Sequence, residues 1–384
     1  MQDLSFAPTE YEQRLSAVQR ELARWQLDAL VSQTSANICY LTGFQTIGSY
    51  GYGHYAVIVE PEGDPILFGS DFEMFNALVY AWTECTATYP AMSDPIEALA
   101  AVLAAHGLAE KRLGIELGHH SLTASEYRRL REKLPRATFV DASCAVEQVK
   151  RVKSPAEIEM MRRAAALTGM GLRAAIEAAG PGRSDNDIAA AASEAMIAGG
   201  SEYFSIQPIV TGGRRSGIPH SSFRRTELET GDVILVELVA SYERYSAPLM
   251  RTIAIGAPSA EVRRAVEACT ASVNALIEQI GPGKAGDEIA RHAGAVLCAI
   301  EPHLVWHGIY GYSVGLTFPP MCSDCPSVEI TESSNLTLQP GMVFHCSTSL
   351  RDIGRYGTAM SETVLVTERG CEVLTDVPRQ LFMR

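Results

Sequence analysis

The segment Ala178-Ala179-Gly180-Pro181-Gly182-Arg183-Ser184-Asp185-Asn186-Asp187-Ile188-Ala189 returns later in the chain as Gln279-Ile280-Gly281-Pro282-Gly283-Lys284-Ala285-Gly286-Asp287-Glu288-Ile289-Ala290. In each copy a helix is expected to end at Gly-Pro-Gly, because Gly suits the residue past a helix and Pro cannot continue one. A second helix is expected to begin at the Asp-containing cap that follows. Each copy is then followed by a Gly and an apolar run, Gly231-Asp232-Val233-Ile234-Leu235-Val236-Glu237 and Gly341-Met342-Val343-Phe344-His345-Cys346-Ser347. Gly-Pro-Gly alone would end any helix, but the matching order of several elements points to duplication. Two copies of a helix–helix–strand unit predict a pseudo-twofold domain.

Upstream of the first copy, Val152-Lys153-Ser154-Pro155-Ala156-Glu157 marks a boundary. Ser154 suits a helix N-cap, Pro155 the first helical position, and Glu157 completes a capping box. A long Ala- and Met-rich helix then runs to about Ala178, a place for packing rather than catalysis. Residues 1–150 thus read as a separate α/β domain and 151–384 as the duplicated one. In the first, Thr9-Glu10-Tyr11-Glu12 predicts a capped helix bearing Leu15, Val18, Leu22 and Trp25. Residues 29–31, 56–59, 65–68 and 113–115 predict strands, and 96–105 and 122–134 predict helices.

A chain of 384 residues fits two domains. Hydrophobic residues make up 47% and charged residues 20%, which excludes disorder for most of its length. The formal charge of −13, without a Lys/Arg-rich block, argues against a sequence-independent grip on nucleic acid. No run approaches the ~20 apolar residues of a membrane span. The start, Met1-Gln2-Asp3-Leu4-Ser5-Phe6, lacks the basic and apolar regions of a secretory signal. Nine scattered cysteines do not form a disulfide framework, so a reduced, cytoplasmic protein is expected. Cys322-x-x-Cys325 has no partner pair to complete a zinc site.

This layout resembles the pita-bread fold of the creatinase, prolidase and methionine aminopeptidase superfamily over most of the chain. The segment Tyr40-Leu41-Thr42-Gly43-Phe44 is similar to one in the N-terminal domains of creatinase and the Xaa-Pro peptidases. The resemblance implies an α/β (α+β) chain, with an N-terminal creatinase-like α/β domain and a C-terminal pseudo-twofold pita-bread domain. Peptidases of the superfamily hold two metals through two Asp, one His and two Glu. Those positions fall here on Glu237, Pro248, Tyr312, Ser347 and Ser361, with Glu362 beside the last. A dinuclear site needs carboxylates to bridge two dications, and only one remains. The resemblance therefore moves to the metal-independent branch of creatinase and ectoine hydrolase, with no metal or cofactor implied. His220 precedes Glu237 by the spacing of the creatinase catalytic histidine. Gly311-Tyr312-Ser313-Val314-Gly315…Pro319-Pro320, Phe344-His345 and Ser361-Glu362 are similar to segments of ectoine-hydrolase-like proteins. The chain departs from ectoine hydrolases at Met321-Cys322-Ser323-Asp324 and Ala359, and from creatinase at Met250, so the substrate stays open.

The expected activity is hydrolysis of a C–N bond in a small cationic or zwitterionic compound of amidine, guanidino or cyclic-amidine type. His220, among Pro219, Ser221 and Ser222, suits a loop base, because a neutral imidazole can take a proton from water and return it to a leaving nitrogen. Glu237 lies in an apolar strand run, where a carboxylate is costly to bury unpaired. It suits a substrate clamp, a nucleophile or a base, or else a structural pair with an Arg such as Arg251. Glu362 is expected to reach the same floor, so that two carboxylates would face one cation. Tyr312 and His345 are candidates for stabilising the tetrahedral intermediate, or for plain packing. Tyr52 and His54 lie on an aromatic loop that reaches a neighbouring subunit's site in relatives. The expected partners are a small-molecule substrate and a second copy in a homodimer, with no nucleic acid and no membrane. The alternatives are an Xaa-Pro metallopeptidase with altered ligands and a non-catalytic binding relative.

Overall fold

The computed structural model describes every residue except 1, 51, 52, 119–121 and 299. The chain divides into two compact units, Met1–Lys150 and Arg151–Arg384. No helix of the described residues is long and apolar enough to cross a membrane.

The first unit is built on a six-stranded sheet. Its strands are β1 (Ala29–Ser32), β2 (Ala56–Val59), β3 (Ile66–Ser70), β4 (Thr86–Tyr89), β5 (Arg112–Ile115) and β6 (Thr138–Asp141). They stand in the order β4-β3-β2-β1-β5-β6. The antiparallel pairs are β1–β2 and β2–β3, and the other pairs are parallel. The helix Ser35–Thr42 carries the Tyr40-Leu41-Thr42 segment and ends at Gly43, whose φ of 81° is the left-handed C-cap that favours glycine. A Cβ at Gly43 would also collide with the Tyr80 carbonyl. The first helix runs Pro8–Trp25 with Ala7 at the N-cap and no side-chain cap bond. This corrects the expected Thr9 cap: Pro8 lacks an N–H and pre-sets φ, so it takes the first helical turn and draws Thr9 inside the helix.

The second unit holds two sheets. One is β15-β9-β8-β7, from β7 (Ile209–Gly212), β8 (Val233–Tyr242), β9 (Tyr245–Ala254) and β15 (Phe382–Met383). The other is β11-β10-β12-β13-β14, from β10 (Gly311–Ser313), β11 (Cys325–Ile330), β12 (Val343–Asp352), β13 (Tyr356–Thr367) and β14 (Gly370–Val373). The helices Pro155–Ala178 and Asp185–Ala198 cover the first sheet, and Ala260–Gln279 and Gly286–Leu297 the second. This is the repeat in three dimensions. Ser154 and Ser184 both form capping boxes, with Glu157 and Asp187. The second copy differs: its N-cap is Ala285, without a side-chain bond, and Asp287 lies inside the first turn.

Strand alternation sorts the side chains. Ile234, Val236 and Leu238 of β8 and Leu249 and Ile253 of β9 join one helix-covered core. Phe344, Cys346 and Leu350 of β12 and Met360, Val364 and Val366 of β13 join the other. The opposite faces carry Glu237, Met250, His345, Ser347, Ser349, Arg351 and Ser361. The two sheets meet where β9 passes β13, and side chains join them. Thr363 Oγ1 donates to Pro248 O at 2.8 Å, and Met250 N donates to Ser361 Oγ at 2.6 Å. Thr252 Oγ1 accepts from Ala359 N at 2.8 Å and donates to Ala359 O at 3.0 Å. Pro248 fits here because its imide edge faces this seam, where no ladder donor is required.

Candidate active site

A cavity of about 780 Å³ opens on the polar faces of the second unit. Its wall includes His220, Glu237, Tyr312 and Ser347, together with His307, Ser349 and Arg351.

His220 sits on the loop after β7 with φ of 51°, a conformation that a non-glycine residue keeps only when its surroundings enforce it. Arg215 supplies that enforcement. Its guanidinium bonds Asp185 at 3.1 Å, Ser221 Oγ at 2.9 Å and the Ser222 carbonyl. Asp185 is fully buried and accepts from Arg224 N and Thr226 N at 3.1 and 2.9 Å. Asp185, the first residue of the second helix in the first repeat, thus anchors the loop that carries the imidazole.

Glu237, 7% exposed, faces the cavity from β8. Its carboxylate has no hydrogen bond and no ion pair within 4.0 Å among the described residues. Burial raises its pKa to about 7, against an opposing pull from Arg351. Arg351 projects from β12 into the same cavity, and its Nη1 donates to the carbonyls of Ser216 at 2.8 Å and Ile218 at 3.3 Å. Burial lowers the His307 pKa, helped by the positive field of Arg351. Ser205 and Ser349 line the cavity with buried hydroxyls that have no protein partner among the described residues.

Tyr312 comes from β10, opposite His345 of β12. His345 is fully buried and meets Tyr312 Oη through Nδ1 and Ser361 Oγ through Nε2, both at 2.7 Å. Burial holds the Tyr312 pKa well above the ordinary phenol range, with the neighbouring Cys322 thiol adding to the effect. β10 is braced from behind. Lys153 Nζ pairs with Asp324 at 3.0 Å, and Ser313 Oγ donates to Asp324 at 2.6 Å. Gly315 makes room for this pair, since a Cβ there would strike the Asp324 carboxylate.

The structure does not bring Glu362 to this floor. Adjacent strand residues face opposite ways, so Ser361 points to His345 while Glu362 lies on the far side. There it pairs with Arg251 at 2.6 Å and accepts from Thr375. Arg251 is accordingly the partner of Glu362, not of Glu237. His54 belongs to the first unit, where Nε2 meets Gln33 Nε2 at 2.7 Å and Nδ1 lies 3.6 Å from Glu126. It does not line the cavity, and Tyr52 lies outside the described residues. Cys325 and Cys346 are buried, and Cys322 faces the cavity beside Tyr312. Sequence reasoning missed Arg351, Ser349 and His307.

The residues present do not fit a dinuclear metal centre. Of the five superfamily ligand positions only Glu237 is anionic. Among the described residues no group of three or more His, Cys, Asp or Glu side chains could hold a metal ion. Met250 and Ala359 add no carboxylate there; they form an apolar patch with Leu235.

Similarity to known proteins makes the chain a hydrolase of a family that acts on C–N bonds. The chain belongs to Metallopeptidase family M24, whose profile matches residues 159–368, and the Creatinase/Prolidase N-terminal domain matches residues 14–152. It is 31% identical to the ectoine hydrolase of Halomonas elongata, covering 99% of both chains. It is 26% identical to the Xaa-Pro dipeptidase of Pyrococcus furiosus, over 70% of this chain and 75% of that one. Among solved structures, dipeptidase PepE of Mycobacterium ulcerans superposes with a TM-score of 0.83 over 98% of this chain and 99% of that one. At 24% identity this shows the fold alone.

Proposed function

We propose that the protein hydrolyses, without a metal, a C–N bond of an amidine, guanidino or cyclic-amidine group in a small zwitterionic compound. The carrying observation is the opposition of Glu237 and Arg351 on one cavity, both facing it and neither neutralised by the other at ion-pair distance. A buried carboxylate without donors calls for a cation, and the amidinium edge supplies two charge-assisted N–H donors. Arg351, with the free Ser349 hydroxyl two residues before it on the same strand face, suits an anionic group at the other end of the molecule. His220 takes a proton from the attacking water and returns it to the leaving nitrogen. Tyr312 donates to the oxygen that develops negative charge. Full-length similarity to an ectoine hydrolase supports this reading, because ectoine is a cyclic amidine bearing a carboxylate.

The dipeptidase relatives offer the competing reading. Elemental analysis of protein purified without chelators separates the two. Less than roughly a tenth of an equivalent of transition metal is expected, together with turnover of ectoine or another amidino acid. One to two equivalents (about what a mono- or dinuclear site holds) with cleavage of Xaa-Pro dipeptides would sink the proposal. His220→Ala is expected to lower kcat by roughly 100- to 10,000-fold while ligand affinity holds. Unchanged affinity without any wild-type turnover would instead mark a binding protein.

A further inference from the structure

We propose that Ser361 and His345 are positioning residues that fix the Tyr312 hydroxyl as a hydrogen-bond donor into the cavity. The catalytic half of this proposal rests on the cavity being the hydrolytic site; the structural half does not.

Ser361 Oγ is buried and already accepts the Met250 N–H at 2.6 Å. Its own proton needs an acceptor, and the atom in reach is His345 Nε2, at 2.7 Å. Nε2 is therefore the lone-pair nitrogen. A neutral imidazole carries one N–H, so that proton sits on Nδ1 and is donated to Tyr312 Oη at 2.7 Å. Tyr312 Oη is thereby occupied as an acceptor on its buried side, and its own O–H is left to point the other way, towards the Cys322 thiol and the cavity. The reverse arrangement, with Tyr312 donating to Nδ1 and Nε2–H donating to Ser361, strands the Ser361 proton with no acceptor among the described residues. A buried donor without a partner costs about 1–3 kcal/mol, which decides the direction.

Burial lowers the His345 pKa to about 3, with His307 contributing, so a second proton does not reach the ring near neutrality and scramble the order. No proton moves along this chain; it sets an orientation. When water, deprotonated by His220, adds to the amidinium carbon, the oxygen it leaves on that carbon replaces the thiol as acceptor for a hydroxyl that is already aimed. Two of the positions that hold metal ligands in the peptidases, Tyr312 and Ser361, are thus joined through His345 into one hydrogen-bonded unit. The missing Lewis acid is replaced by an oriented dipole.

The test begins with long-range 1H–15N correlation spectra of the full-length protein labelled at histidine, with the His345 signals assigned from a His345→Gln variant. The expected result is a protonated Nδ1 and an unprotonated Nε2, unchanged in Ser361→Thr, which keeps the hydroxyl. A protonated Nε2 in the wild type overturns the proposal, and this experiment needs no substrate. The functional arm uses ectoine as probe. Tyr312→Phe should lower kcat by roughly 100- to 1,000-fold, as loss of one oxyanion donor does. Ser361→Ala should lower kcat roughly five- to tenfold with KM little changed, and Ser361→Thr should restore it. In a Tyr312→Phe background, Ser361→Ala should add no more than about twofold. Equal losses in both backgrounds would show a merely structural role and overturn the positioning claim. Absence of turnover with ectoine in the wild type would count against the proposed substrate, leaving the tautomer to decide the orientation.

Discussion

Glu237 is destabilising where it stands, and this gives a test independent of any substrate. Its pKa of about 7 lies above the ordinary 4.5 because burial disfavours the anion. The folded protein therefore keeps a proton that the unfolded chain releases between those values. Stability attributable to this site is full below about pH 4.5, falls as pH rises, and is lost above about pH 7. The neutral variant Glu237→Gln should match the wild type at pH 4.5 and exceed it by up to roughly 3 kcal/mol at pH 8, while losing turnover. Urea denaturation at the two pH values measures the difference, and a pH-independent gap would remove the desolvation account. The sequence frames pointed to His220, Glu237 and Tyr312, which the structure gathers around one cavity. The expectation for Glu362 failed on parity: placing Ser361 on the site face already sends its neighbour to the other. Followed along β12, the same alternation from His345 would have exposed Ser347, Ser349 and Arg351. His307 lies outside any strand or helix, and no periodicity announces it.

At the level of elements, β10 is the piece whose placement matters most, since three residues carry Tyr312 into the cavity. Behind it, Lys153 and Asp324 are 4% and 5% exposed, so neither charge is relieved by water. Lys153→Met should cost about 3–5 kcal/mol because it strands the Asp324 carboxylate, and Lys153→Met with Asp324→Leu should recover much of that. Thermal denaturation of the two variants checks both statements. A loss in the single variant below 1 kcal/mol, about the worth of an exposed pair, would contradict the buried-pair reading. Nothing in the Val152 to Glu157 sequence announces this role for Lys153, because its partner lies far along the chain. The helices were plainer. Ser154, Pro155 and Glu157 act locally, and their signal survives in any tertiary setting. The same logic misled at Thr9, where a neighbouring proline outranked the hydroxyl.

Across the molecule, duplication was legible because it repeats whole elements, whereas the join between the copies was not. Besides Arg251, which pairs with Glu362 and donates to the Ser361 carbonyl, the bonds that link β9 to β13 come from Thr252, Ser361 and Thr363, residues that look unremarkable in a strand. Thr363→Val and Thr252→Val should each lower stability by about 1 kcal/mol, the second by more because the Ala359 N–H loses its acceptor. Hydrogen exchange should then report faster loss of the Ala359 amide in Thr252→Val, with the β12–β13 ladder amides little changed. Wild-type exchange in that variant would show that the Thr252 hydroxyl does not hold its part of the seam. Main-chain rungs belong to every amino acid and persist through almost any substitution. Hydroxyl rungs are written in individual codons. A joint of this kind can be loosened, tightened or re-registered by point mutation while both ladders stay whole. The floor of the cavity, which spans that joint, is therefore adjustable one side chain at a time.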